Sequence, residues 1–353
     1  MTVLKLGSLF DGIGVFPLAA VHCGMEPVWA SEIEARPISI TKRHFPDMLH
    51  LGDITKINGA EVPPVDVITF GSPCQDLSQI GTRNGFAGKK SSLFYQAMRI
   101  IEEMRYATNG RYPAFCIWEN VAGAFSSNDR LDFAAMLRAF TGAEVSVPPR
   151  GWAHAGMVRG GCADTAWRLL DAQYWGEPAL AQRRKRVFVV ADFAGQRAGE
   201  VLFKPRTVLP FSTISGPGGL SATQRGGVPA AQTGRQVPIV RPFSLRRMRT
   251  MAQVGDQKGF CASFGRGGEP FPTLLASVTA PFSFWYEGEE RDGFLRVLTP
   301  LECERLMGLP ENWTKYGCKD EEISDHARYR ALGNSIALPC AEYVMAGIAE
   351  VMK

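Results

Sequence analysis

Val3–Leu9 (Val-Leu-Lys-Leu-Gly-Ser-Leu) runs directly into Phe10-Asp11-Gly12-Ile13-Gly14, and Val15–Cys23 follows with apolar residues at helical spacing as far as Gly24. An apolar strand, a two-glycine turn and a helix closed by a glycine make the opening half of a strand–helix–strand unit. Pro27–Ser31 supplies a second strand, Asp66–Phe70 and Ala114–Trp118 two more, and Val187–Ala191 a later one. Leu93, Phe94, Ala97, Ile101 and Met104 share one helical face, with Ser91 or Ser92 as the cap. This alternation predicts an α/β fold, a parallel sheet covered by helices on both faces, with ligands held at the C-terminal ends of its strands.

The 353 residues are 45% hydrophobic and 21% charged, with a formal net charge of +4. That suffices for one large domain or two ordinary ones and excludes disordered, collagen-like and coiled-coil chains. No apolar run nears the roughly 18–20 residues of a membrane helix. Asp11 and two glycines interrupt the start before the apolar region of a signal peptide could form. A cytoplasmic protein with no membrane partner is expected. The eight cysteines include no Cys-x-x-Cys pair and read as free thiols, and the five histidines lack ligand spacing, so no metal is predicted. The small positive charge permits a nucleic-acid partner without requiring one.

After Ala191 the texture changes. From about Lys204 to Glu290, Gly, Pro, Ser, Thr and Gln are interspersed with arginines, and helical periodicity is poor outside Leu245–Val254. We expect a catalytic and cofactor-binding domain at 1–200, a smaller irregular domain at 205–290, and a C-terminal segment at 295–353 returning to the first. In that segment Thr299-Pro300-x-Glu302 resembles a capped helix start with proline at its first position, and Leu338–Met352 reads as a final helix.

Several short segments carry chemistry. Glycines in Phe10–Gly14 let a ligand approach the backbone, and Glu32 ends the second strand, where a carboxylate can accept both ribose hydroxyls of an adenosine-containing cofactor. Asp53, in Gly52-Asp53-Ile54, sits where it could meet an adenine amine. Without the third glycine of a dinucleotide fingerprint, these residues read equally as a tight turn with surface carboxylates. Gly71-Ser72-Pro73-Cys74-Gln75 puts a thiol at the end of a central strand, as a nucleophile or as a buried structural cysteine. Glu119-Asn120-Val121 follows another strand, where partial desolvation would raise the carboxyl towards general-acid values; a capping or ion-paired role is the alternative. Gln182–Arg186 sets four consecutive bases beside the sheet, Arg184 and Arg186 on one face, to hold phosphates or a base carbonyl or else to form a solvated edge. Gly333-Asn334-Ser335 alone is only a turn.

In this order the segments resemble the cytosine-C5 DNA methyltransferases. The matching pieces are residues 10–14, 71–75 with their Pro-Cys-Gln, 119–121, Gln-x-Arg-x-Arg at 182–186, 296–310 and 330–335. The likeness spans nearly the whole chain except about 205–290. It implies a Rossmann-like S-adenosylmethionine-dependent methyltransferase sheet with a smaller irregular target-recognition domain. The implied reaction is methyl transfer to C5 of a cytosine flipped from double-stranded DNA, through a covalent adduct between Cys74 and C6. S-adenosylmethionine would be the cofactor and S-adenosylhomocysteine the product, with no metal. On matched positions the resemblance makes Cys74 the nucleophile, Glu119 the group that protonates N3, Arg184 the holder of the base's O2 and Arg186 its support. Phe10, Gly12, Glu32, Asp53, Ile54, Leu93 and Asn334 fall at cofactor positions, with Asp11, Gly14, Ile33, Pro73 and Ser335 beside them. Gln75, Ser78, Arg246 and the pair Thr273-Leu274 are the implied DNA contacts. A monomer is implied, either as one half of a restriction-modification pair with a cognate restriction endonuclease or as a solitary enzyme.

The chain departs from the pattern in four places. Ile33 stands where many members carry an aromatic residue, Val15 replaces a frequent third glycine, Ala-Leu-Ala precedes Gln182, and Gly151–Gly161 looks like an insertion. None removes a catalytic group. A nicotinamide-dependent oxidoreductase would leave Cys74 and residues 182–186 without a role, and a non-catalytic relative would be expected to lack Cys74 or Glu119. An RNA-directed member of the same family is the alternative the sequence opposes least.

Overall fold

A computed structural model describes residues 3–72, 93–204, 239–243, 270–271, 273–274, 282–286 and 294–353. Pro73, Cys74, Gln75, Ser78, Ser91, Ser92, Arg246 and the Leu245–Val254 stretch lie outside the described residues, as does most of 205–290.

The first five strands are β1 (Lys5–Leu9), β2 (Glu26–Ser31), β3 (Leu49–His50), β4 (Val67–Phe70) and β5 (Phe115–Val121). They alternate with helices α1 (Val15–His22), α2 (Ala35–His44) and α3 (Leu93–Ala107) and pair in parallel. Past β5 come α4 (Leu131–Thr141), β6 (Ala155–Arg159), β7 (Asp164–Asp171), β8 (Lys185–Asp192) and α5 (Ala198–Leu202). The complete sheet has the order β3-β2-β1-β4-β5-β8-β7-β6. The all-parallel expectation therefore holds only as far as β5, because β8 pairs antiparallel with β5, and β7 and β6 continue antiparallel.

Burial explains both halves. Along β5, Phe115 and Ile117 enter the core on one face while Cys116 and Trp118 enter the core on the other, the period of two expected for a strand covered on both sides. The stretch read as an insertion at Gly151–Gly161 contains edge strand β6. Gly156 lies against the Trp167 indole, where a Cβ would come within 2.3 Å of a ring carbon. A glycine inside a strand marks such a close approach.

Chain order reverses around β1, with β2 on one side and β4 on the other. The crevice beyond the C-terminal ends of these strands is the ligand position of an open α/β sheet. The loop 10–14, Glu32 and Gly71 all follow strand ends there, whereas Glu119 and Asn120 belong to β5 itself, which runs three residues further than the expected end at Trp118.

A separate three-stranded antiparallel sheet joins β9 (Ile239–Phe243), β10 (Phe282–Tyr286) and β11 (Phe294–Val297), so this sheet runs past residue 290. The C-terminal helices are α6 (Pro300–Leu306), α7 (Asp325–Asn334) and α8 (Leu338–Val351). Thr299 and Glu302 form the reciprocal capping box at the start of α6. Helix α8 packs on α1, and Glu342 on it meets His22 at 2.6 Å. Among the described residues no helix is long and apolar enough to cross a membrane.

Candidate functional site

The strand β1 ends in a strained turn. Phe10 has φ of 54°, Gly12 of 59° and Gly14 of 78°. Positive φ costs glycine nothing but costs a residue with a Cβ about 1–2 kcal/mol, so Phe10 carries the strain of turning the chain into α1. The turn is braced from two directions. Gly12 N–H donates to Glu32 Oε2 at 2.9 Å, and the Trp313 indole N–H donates to the Ile13 carbonyl at 2.8 Å. Trp313 is itself stacked on His44 at 3.6 Å between centroids. The other oxygen of Glu32 accepts the N–H groups of Ile33 and Glu34 at 2.7 and 2.9 Å. The backbone thus fixes this carboxylate at the end of β2. Asp11 accepts a hydrogen bond from the Ser8 hydroxyl at 2.6 Å. Burial, together with the nearby Glu32 charge, overcomes that bond and pushes its carboxyl up to about 7.

The opposite wall comes from β4, β5 and β8. Glu119 is 9% exposed, and burial raises its pKa against the lowering pull of Arg186 and Arg184. Arg186 Nε lies 2.9 Å from Glu119 Oε1. The approach is close enough for an ion pair but too poorly directed for a hydrogen bond, so Oε1 has no hydrogen-bond partner among the described residues. Pairing of Val121 with Arg186 across β5 and β8 creates this meeting. Gly71 leaves space beside the acid, since a Cβ there would sit 3.1 Å from Glu119 Oε2. Asn120 and Trp118 hold Ser72, two residues before Cys74: the Asn120 amide donates to the Ser72 carbonyl at 3.0 Å and the Trp118 indole to its hydroxyl at 3.1 Å.

Arg184 behaves differently from Arg186. It is 1% exposed, and its guanidinium donates to the carbonyls of Leu274 at 2.9 Å, Gly333 at 2.8 Å and Ser335. Burial, with the repulsion of Arg186, lowers its pKa to about 9. Its backbone N–H donates to Asp171 at 3.0 Å. Thr273 and Leu274 dock on the same segment, the Thr273 hydroxyl donating to the Arg183 carbonyl at 2.6 Å. The side chain expected to hold the base thus staples the main chain at residue 274 to that at residues 333–335, and of the two arginines Arg186 is on the cavity wall.

One cavity of about 520 Å³ spans both ends. Phe10–Ile13 and Glu32 line one end, Gly71, Ser72, Glu119, Asn120 and Arg186 the other, and Thr273, Leu274, Asn334 and Ser335 lie along its wall. Gly14, Ile33, Asp53, Ile54 and Leu93 are not on that wall. Ile54 is buried in the hydrophobic core, and Asp53 accepts the N–H and hydroxyl of Thr55 at 2.9 Å each, bonds that lower its pKa. Sequence reasoning passed over Asn120 as a loop anchor and Trp313 as a brace. Both lie in or beside the matched motifs, but only the tertiary fold shows what they grip.

The sequence model of the family described as C-5 cytosine-specific DNA methylase matches residues 4–205 and 246–350. The type II methyltransferase M1.ScrFI of Lactococcus lactis subsp. cremoris is 26% identical over 358 residues, covering 99% of this chain and 79% of its own. A protein of Escherichia phage P1 named DNA N-6-adenine-methyltransferase is 24% identical over 463 residues, and the match takes in 98% of this chain but only 61% of the phage protein. Among solved structures, a DNA modification methyltransferase encoded within an Escherichia coli prophage superposes with a TM-score of 0.60 at 16% identity over 99% of both chains. At that identity the likeness is one of fold.

Proposed function

The chain belongs to the C-5 cytosine-specific DNA methylase family, and from that premise we propose that it methylates C5 of a cytosine flipped out of double-stranded DNA, with S-adenosylmethionine as the methyl donor. The observation that carries this reading is the single cavity that joins Glu32 and the glycine turn to Glu119 and Arg186. Its volume falls within the roughly 300–1,000 Å³ of small-molecule sites. A carboxylate already oriented by three N–H groups at a strand end suits ribose hydroxyls. Bound S-adenosylmethionine supplies a methyl group made electrophilic by its sulfonium.

The residues then divide the work. Cytosine C5 is a weak nucleophile until C6 is saturated. The Cys74 thiolate adds to C6, and the electron pair of the C5–C6 bond moves into the ring. Glu119, as the neutral acid that burial favours, gives N3 a proton, so negative charge does not accumulate on the base. Arg186 is the donor available to the base's O2 beside that acid. Once C5 carries the methyl group, a base removes its proton, the C5–C6 double bond re-forms, Cys74 leaves as thiolate, and N3 returns its proton to Glu119. Asn120, by fixing Ser72, sets the base of the Cys74 loop. Residues 205–290, with Arg246, would read the DNA sequence, and Thr273-Leu274 ties that segment to residues 183–184. The adenine for which the phage P1 relative is named is a different acceptor: an exocyclic amine needs no covalent activation, and a Cys-Glu-Arg set would be superfluous for it.

Bisulfite sequencing of DNA from cells expressing the chain should show C5-methylated cytosines at a fixed short site. Cys74→Ser should cut methylation at least several hundred-fold while donor and DNA binding persist, because a hydroxyl is far less ionised than a thiol. Duplex DNA carrying 5-fluorocytosine should give a denaturation-resistant adduct on Cys74. Methylation of transfer RNA in preference to duplex DNA, or wild-type turnover by Cys74→Ser, would overturn the proposal.

A further inference from the structure

Among the described residues four carboxylates line the cavity, and three of them are accounted for. Glu34 pairs with Arg330 of α7 at 2.7 Å, Glu119 with Arg186, and Glu32 is bracketed by backbone N–H groups. Asp11 has the Ser8 hydroxyl on one oxygen, and its other oxygen is buried with no hydrogen-bond partner among the described residues. Among the described residues the groups facing it are few. From β1 there is Ser8; from the turn after β2, Glu32 and then Glu34, which pairs with Arg330; across the cavity from β5 and β8, Glu119 with Arg186 beside it. Among the described residues, no ion pair answers Asp11.

We propose that Asp11 is a specificity-determining residue whose carboxylate favours the positively charged methyl donor over the product left after transfer. The proposal rests on the methyl-donor reading of the cavity. Donor and product share adenine, ribose and the amino-acid arm, and differ by one methyl group and one positive charge on sulfur. Hydrogen bonds to the shared parts therefore cannot separate them. A carboxylate in a poorly solvated wall can, because its attraction for the sulfonium acts through space without contact. The sulfide product loses that attraction at the moment the methyl group leaves, which favours its exchange for fresh donor.

The position of Asp11 makes this discrimination titratable. Its carboxyl is held near neutrality by burial, assisted by Glu32 and opposed by Ser8. A cation binds the ionised form better, and the ionised fraction grows as pH rises. The preference for donor over product should therefore increase from acid to alkaline conditions across neutrality.

Calorimetry on the full chain with S-adenosylmethionine and S-adenosylhomocysteine, in the wild type and in Asp11→Asn, tests this. Between about pH 6 and pH 8 the ratio of product Kd to donor Kd should rise roughly three- to ten-fold more in the wild type than in Asp11→Asn. Ser8→Ala, which removes the bond favouring the ionised form, should move the rise to higher pH. Coincident curves for wild type and Asp11→Asn, both ligands binding, would overturn the role of Asp11 alone. Failure of either ligand to bind the wild type would overturn the methyl-donor reading and this inference together. Should Asp11→Asn not fold, an unshifted Ser8→Ala curve overturns the proposal and a shifted one supports it.

Discussion

The two ends of the cavity are built in opposite ways. The end proposed for the donor is local: one turn after β1 and the residue following β2 supply Phe10–Gly14 and Glu32, and this carboxylate is fixed by main-chain N–H groups of those two turns. The end proposed for the base is assembled from afar, with Glu119 on β5, Arg186 on β8, and Arg184 gripping carbonyls at 274, 333 and 335. One end is maintained by backbone geometry and the other by buried charge. Backbone geometry survives the loss of a side chain, whereas a buried ion deprived of its partner keeps its full desolvation cost. Substitutions should therefore act steeply at the base end and by degrees at the donor end.

The steepest effect belongs to Glu119. Glu119→Gln keeps the shape of the acid but has no proton to give N3, so turnover should fall about 10²–10⁴-fold with donor and DNA affinity nearly intact. In the proposed mechanism the acid must be protonated. Its raised pKa therefore implies a single-turnover rate that declines as pH rises through that value, and the decline should be absent from the residual activity of Glu119→Gln. A variant with the wild-type pH profile would remove the buried acid from the chemistry.

The next effect separates two arginines that look alike in sequence. Arg184→Met fills similar space but leaves the carbonyls of Leu274, Gly333 and Ser335 without their donor, at roughly 1–3 kcal/mol for each group left unsatisfied. We expect a melting temperature lower by several degrees and parallel losses in donor and DNA affinity, since the staple joins segments serving both. Arg186→Lys, at the cavity wall, should instead reduce turnover with little change in melting temperature. If Arg184→Met melts normally and loses only turnover, Arg184 holds the base after all and the staple is incidental.

That pair of arginines also marks how far the sequence could be read. The strand–glycine–helix start, the acidic residue at the end of β2 and the strands and helices read along the first half obey local rules, and the structure has those elements within two or three residues. Strand alternation sets Arg184 and Arg186 on one face, so nothing local distinguishes them. The difference arises because β8 begins only at Lys185, leaving Arg184 anchored through its backbone to Asp171 and turned beneath residues 274 and 333–335. Edge strand β6 was equally hidden. Its residues alternate between exposed and half-buried without an apolar period, and only its pairing with β7 and the fit of Gly156 against Trp167 explain it. Glu119 could be picked out as a strand-end acid, but its meeting with Arg186 depends on an antiparallel pairing between strands far apart in the chain.

The smallest effect tests the donor end on its own terms. In Glu32→Ala the ribose loses an acceptor whose bonds, being to a charged group, contribute about 1.5–3 kcal/mol each, so donor affinity should fall ten-fold or more by calorimetry. The N–H groups of Gly12, Ile33 and Glu34 also lose their partner, but Gly12 and its neighbours lie at the cavity wall, where water can take its place. The fold should therefore change little in stability, and DNA affinity less than donor affinity. Glu32→Gln, keeping one carbonyl oxygen for the bracket or the ribose but not both, should fall between the wild type and Glu32→Ala. The contrast between the two ends breaks if Glu32→Ala lowers the melting temperature as far as Arg184→Met while donor affinity stays unchanged. Glu32 would then be a brace for the glycine turn and not a ribose acceptor, and both ends of the cavity would depend on side chains that hold the backbone in place.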